Sequence, residues 1–138
     1  MRIIGLDYGS RTVGVAVTDG LGITAQPLET ITRSGENKLR RTLARIEELA
    51  GEYNAELIVL GYPVNMDGSV GERALKTGEF RAMLEKRLNI PVVLQDERLT
   101  TEEALEILRD MDVPESDLKL YVDKIAATVI LEDYMNSH

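Results

Sequence analysis

The chain opens on an apolar run, Ile3-Ile4-Gly5-Leu6-Asp7-Tyr8, that Gly9 ends. Its length and composition predict a buried strand over residues 2–8. After a Gly9-Ser10 turn, the Val-rich stretch Thr12–Thr18 predicts a second strand, and Asp19-Gly20 marks another turn. A third strand is expected around 23–32, where Pro27 argues for a sheet edge or a bulge. The spacing then changes to a helical period. Leu39, Leu43, Ile46, Leu49 and Ala50 share one face of a helix expected over 36–53. A short buried strand at 57–61 and a Pro/Asn/Asp/Gly loop lead to a helix over 70–88, with Ser69 and Glu72 at capping-box spacing. Phe80, Leu84 and Leu88 fall on the core side of that helix. A strand at 91–96, a helix over 101–111 with Thr100 and Glu103 again at capping-box spacing, and a last helix over 116–135 complete the chain. Three antiparallel strands followed by βα units predict an α/β fold, a mixed β-sheet with helices on both faces.

Two acidic residues break this pattern. Asp7 lies inside the first strand and shares a face with Ile3 and Gly5. A carboxylate taken out of water there is costly unless a metal ion, a lysine or a phosphate with its cation meets it. In the last helix Leu120, Asp123, Ala127, Ile130 and Tyr134 recur at helical spacing, which places Asp123 on the apolar face. The small Ala126 and Ala127 would let that helix approach the sheet and aim Asp123 at the first strand; pairing with Lys124 or Arg98 is the structural alternative. Glu97 ends the strand at 91–96, and because Asp96 and Glu97 face opposite sides only one can join Asp7. Its alternative is a loop ion pair with Arg98. Converging carboxylates repel unless a cation neutralises them. An all-oxygen set selects Mg²⁺ or Mn²⁺, and two such ions about 3.5–4 Å apart can activate water and stabilise a leaving oxygen in phosphodiester cleavage.

Composition narrows the chemistry further. The 138 residues contain no Cys, and the one His is His138 at the chain end. A thiolate zinc site, a cysteine nucleophile and a His-based triad are therefore excluded. The length suits one domain spanning 1–138. No apolar stretch is long enough to span a bilayer and no secretory h-region opens the chain, so a cytoplasmic location is expected. Net charge is −8, and residues 101–138 hold ten acidic against three basic residues. That balance alone does not suggest a nucleic-acid binder, but local patches and bound cations decide such binding. The five Met residues are expected to fill the core.

Five motifs in order then carry a resemblance over nearly the whole chain. They are Gly5-Leu6-Asp7-Tyr8-Gly9-Ser10-Arg11-Thr12-Val13-Gly14-Val15-Ala16, the segment Gly22–Ile31, Gly61-Tyr62-Pro63-Val64-Asn65-Met66-Asp67-Gly68-Ser69 with Arg73-Ala74, Asp96-Glu97-Arg98-Leu99-Thr100-Thr101, and Val122-Asp123-Lys124-Ile125-Ala126-Ala127. The sequence resembles the YqgF/RuvX proteins, described as Holliday junction resolvases and as pre-16S rRNA processing nucleases, and the element order is that of a ribonuclease H-like domain. The resemblance places the family's three acids on Asp7, Glu97 and Asp123. It implies a nuclease using one or two Mg²⁺ or Mn²⁺ ions on structured RNA, with the 5′ end of precursor 16S rRNA as expected substrate. A resolvase acting on four-way DNA junctions would use the same chemistry, as a homodimer rather than a monomer. A non-catalytic nucleic-acid-binding module and an actin-like ATPase or sugar kinase are further alternatives; the last needs a second domain. Arg11, Arg73, Lys76, Arg98 and Lys124 are candidate phosphate contacts, and Asn65 a candidate hydrogen-bonding partner of the substrate backbone. Family members often carry a Lys/Arg run just before the final acid. Here Asp112-Val113-Pro114-Glu115-Ser116-Asp117-Leu118-Lys119 has one basic residue, which removes charge that would favour nucleic acid.

Overall fold

The computed structural model describes residues 2–65, 67–97 and 100–138. Five strands, β1 (Arg2–Tyr8), β2 (Thr12–Thr18), β3 (Ala25–Thr32), β4 (Ala55–Pro63) and β5 (Val92–Glu97), form one sheet in the order β3-β2-β1-β4-β5. The first three run antiparallel as a meander, and β4 and β5 run parallel to β1. The helices are α1 (Arg40–Glu52), α2 (Glu72–Arg87), α3 (Thr100–Asp110) and α4 (Leu118–Ser137), the last entered through a 3₁₀ turn at Glu115–Asp117.

Alternation along the strands divides the core in two. Ile4, Leu6 and Tyr8 of β1 face the same side as Val13, Val15 and Val17 of β2 and Ile58 and Leu60 of β4; Ile46 and Leu49 of α1 and Phe80 and Leu84 of α2 cover them. On the other side, Ala16 of β2 and Val59 of β4 pack against Ala127, Ile130 and Leu131 of α4. This second interface is closer. A Cβ on Gly5 would stand 2.9 Å from the Leu131 Cβ and 3.0 Å from the Ala127 carbonyl oxygen, and one on Gly14 would overlap the Asp123 carbonyl. The backbone of α4 therefore rests on the strands where they carry glycine. Helix α3 packs against α4.

Most predicted elements form, within a few residues of the expected bounds. Pro27 lies on the edge strand β3, and the β2–β3 register shifts between Val15 and Ala16, opposite it. Four expectations need correction. The Ser69–Glu72 capping box does not form: α2 begins at Glu72 behind Gly71 with no side-chain cap. Ser69 serves the preceding loop instead, its amide donating to Asp67 Oδ1 (2.9 Å) and its hydroxyl accepting from Asn65 Nδ2 (2.8 Å). Thr100 is the first helical residue of α3 rather than a cap. Leu120 is 63% exposed, whereas Leu118 two residues earlier is buried, so Leu120 does not share the buried face of α4. Met83 and Met111 are exposed surface residues, not core.

Candidate active site

Asp7 stands opposite Gly14 of β2, one residue before β1 ends. Glu97 is the last residue of β5, in register with Pro63 of β4. Strand β4 lies between them and offers Gly61, over which the Glu97 carboxylate folds; a Cβ at Gly61 would come within 2.6 Å of Glu97 Oε2. That missing side chain lets carboxylates from β1 and β5 meet across an intervening strand, joined by a hydrogen bond.

Such a bond between two carboxyls requires a proton. Burial pushes Asp7 well above the usual carboxylate range; the charge of Glu97, the hydrogen bond to it and the charge of Asp123 push in the same direction, and Arg73 opposes them. Burial also raises Glu97, against the hydrogen bond from Asp7 and the charge of Arg73. Both acids are thus pushed towards their protonated forms, Asp7 the more strongly.

Asp123 is half-buried near the start of α4, its carbonyl over Gly14, the β2 partner of Asp7. Lys124 turns away and holds its ammonium 5.1 Å from the centre of the Tyr121 ring. Among the described residues no group of three carboxylates stands close enough to hold a metal ion as arranged. The Asp7–Glu97 pair is assembled, and Asp123 lies near enough for its charge to act on Asp7. Two acids pushed towards their protonated forms in a buried all-oxygen setting fit a hard divalent cation, which would neutralise them in place of protons.

The cations collect at the same end of the sheet. Arg73 of α2 donates from Nη2 to the Tyr8 carbonyl (3.3 Å) and from Nη1 to Glu36 Oε1 (2.8 Å). Lys76 pairs with Glu36 (3.0 Å) and Glu72 (3.7 Å). Arg33 and Glu36 belong to this group although nothing in their sequence neighbourhood marks them. Arg33 follows the edge strand β3, donates to the Gly9 carbonyl, and lies 4.9 Å from the Tyr8 ring centre, as Arg73 does. Tyr8 stacks on Phe80 at 4.1 Å. Arg11 is exposed in the β1–β2 turn, its carbonyl accepting from the Arg33 amide. Asn65 is exposed and spends its amide on Ser69 within its own loop. Arg98 lies outside the described residues.

A family model described as "RuvX: Holliday junction resolvase" matches residues 1–137. A protein of Lachnospira eligens named "Putative pre-16S rRNA nuclease" is 57% identical over 137 residues, covering 99% of this chain and 98% of that protein. One of the same name from Agathobacter rectalis is 51% identical over 136 residues, covering 99% and 95%. Among solved structures, T. thermophilus RuvC in complex with a Holliday junction substrate superposes with a TM-score of 0.59 at 18% identity, covering 99% of this chain and 96% of that one. The fowlpox virus Holliday junction resolvase gives 0.59 at 17% identity, covering both chains fully. These two likenesses establish a shared ribonuclease H-like fold. Among the described residues no helix is long and apolar enough to cross a membrane.

Proposed function

The chain belongs to the RuvX family, and we propose that it is a nuclease whose reaction depends on a divalent metal at Asp7, Glu97 and Asp123 and whose substrate is the precursor of 16S rRNA. The observation that carries this reading is the carboxylate pair formed across Gly61, with Asp123 and Arg73 near enough for their charges to act on it. Asp7 and Glu97 would hold Mg²⁺ or Mn²⁺ in place of the protons that burial favours on them, with Asp123 of α4 as a third candidate ligand. When bound, the cation supplies charge neutralisation and Lewis acidity to a phosphodiester. Arg73 stabilises negative charge on both acids and offers a guanidinium to the entering phosphate. Arg11 and Lys124 supply positive charge to the substrate, Arg98 is a further candidate phosphate contact by its place in the sequence, and Asn65 meets the substrate from its loop. The names of the relatives support RNA as substrate. The absence of Cys and of an internal His leaves carboxylates, hydroxyls, Lys, Arg or a bound cation to organise hydrolysis.

The family description favours a second reading, cleavage of four-way DNA junctions. One experiment separates the two. A labelled 16S precursor 5′-leader RNA and a labelled four-way DNA junction are each incubated with Mn²⁺, Mg²⁺ or EDTA, using wild type and Asp7→Asn. Metal-dependent RNA cutting that Asp7→Asn abolishes is the expected result. Preferential cutting of the junction moves the assignment to a resolvase, and cutting that survives Asp7→Asn removes the proposed site.

A further inference from the structure

On the sheet face opposite the carboxylates, three cations gather around one acid. Glu36 accepts from Arg73 Nη1 at 2.8 Å and pairs with Lys76 Nζ at 3.0 Å, and its backbone carbonyl accepts from Arg33 Nε at 3.2 Å. Arg33 and Arg73 both lie against the Tyr8 ring, and both donate to carbonyls at the end of β1, at Gly9 and Tyr8. Tyr8 directly follows Asp7, so the cationic group and the carboxylate pair meet at one strand end from opposite faces. A recess of about 350 Å³ opens there, lined by Ser10, Glu36, Glu72, Arg73 and Lys76.

The acid does not satisfy this group. Arg33 Nη1 and Arg73 Nε are buried donors without a hydrogen-bond partner among the described residues. Buried N–H groups on charged side chains are costly to leave unpaired. The Glu36 carboxylate thus pairs closely with two cations, Arg73 and Lys76, while Arg33 meets only its backbone carbonyl, and Glu72 is more distant and 84% exposed. Glu36 itself comes from residues 33–39, which lie between β3 and α1 in turns and irregular structure. Its side chain can leave without breaking a strand or a helix. Its two oxygens, one on Arg73 and one on Lys76, take the positions that two non-bridging oxygens of a phosphodiester would take.

We propose that Arg33, Arg73 and Lys76 form a phosphate subsite for a nucleic-acid strand, next to the reacting bond, and that Glu36 is its built-in occupant, displaced when the strand binds. This rests on the nuclease reading and adds to it a residue that restrains binding. The strand phosphate puts its two non-bridging oxygens in place of the competing carboxylate, beside the unpaired guanidinium donors. Part of the positive charge needed for binding, scarce in the segment before Asp123, is thus supplied by α2 and the β3–α1 connection.

The test is fluorescence anisotropy of a labelled structured RNA with the full-length protein in EDTA, where binding is read without cleavage. Glu36→Gln is expected to bind about fivefold more tightly than wild type at low salt. Its log–log salt slope should steepen by roughly one ion, and that of Lys76→Gln should become shallower by a similar amount. Inorganic pyrophosphate should displace RNA more readily from Glu36→Gln than from wild type. Equal or weaker RNA binding by a Glu36→Gln variant of unchanged circular dichroism would show that Glu36 is a structural clamp and overturn the proposal. If that variant fails to fold, Lys76→Gln decides, and an unchanged affinity and salt slope overturns it. Pyrophosphate binding that leaves RNA affinity untouched would assign the recess to a free phosphate compound and overturn the strand assignment. Failure of the nuclease reading shows separately, as no metal-dependent cleavage of the RNA or of the junction by the wild-type protein.

Discussion

The two faces of the sheet are built to different rules. The face under α1 and α2 is filled by large side chains, with Ile4, Leu6, Ile58, Leu60, Phe80 and Leu84 almost fully buried. Its helices stand off at side-chain distance, and burial of apolar area holds them. The face under α4 sets Gly14 against the Asp123 backbone and Gly5 against the Ala127 carbonyl and Leu131 Cβ, while Gly61 leaves room for the Glu97 carboxylate and Ile130. Fewer large side chains are buried there, and the helix comes so close that a Cβ on Gly14 would overlap the Asp123 carbonyl. That closeness is what carboxylates converging from β1, β5 and α4 require. One face supplies stability and the other supplies position.

Substitutions on the two faces should therefore fail differently. Phe80→Ala removes the largest fully buried side chain and the stacking partner of Tyr8. It should cost about 3–5 kcal/mol in urea unfolding, while the folded fraction keeps its metal-dependent cleavage. Gly14→Ala should cost about 1–3 kcal/mol, and lose cleavage out of proportion to stability, because relief of the overlap moves Asp123 off the sheet. If Gly14→Ala cleaves normally once folded, the positional role of that face is refuted.

Acid titration sharpens the contrast. Asp7 and Glu97 are raised in the native state, so between their ordinary values, 3.8 and 4.5, and their raised ones the folded chain binds more protons than the unfolded chain. Without metal, stability should then fall as pH rises through that window, by up to about 1.4 kcal/mol per unit for each full proton difference. Asp7→Asn should flatten most of this slope and make the metal-free protein more stable than wild type near neutrality. Urea melts in EDTA across the acid-to-neutral range measure it, and stability that rises with pH over the same window would contradict the raised values of the two acids. Added Mg²⁺ or Mn²⁺ should restore stability to wild type more than to Asp7→Asn.

The smallest effect expected is a gain. Gly78 lies within α2, on the stability-bearing side, and a Cβ there meets nothing within 4 Å. Gly78→Ala should stabilise the fold by roughly 0.8–1.0 kcal/mol through helix propensity and leave cleavage unchanged. A glycine on one face would then be replaceable at a gain, while Gly14 on the other is not.

Much of this was written in local pattern. Apolar alternation located the five strands, helical spacing located the helices, and Pro27 marked the edge strand, because each reports burial of residues close in sequence. Asp7 stood out for the same reason, as a charge inside an apolar run. The local signals that failed had a nearby competitor or lacked a neighbour. Ser69 was captured by its own loop, and Leu120 does not share the buried face of α4.

By itself, then, the sequence determined the order of elements, the two-faced sheet and the acids available for chemistry. Only the tertiary structure decided that Asp7 and Glu97 meet across Gly61, that Gly14 seats Asp123, and that Arg33, 40 residues before Arg73 in the sequence, lies with it against Tyr8. Those facts depend on pairing between distant segments, and the free energy of a buried charge is set by what surrounds it in space, whatever stands beside it in the chain.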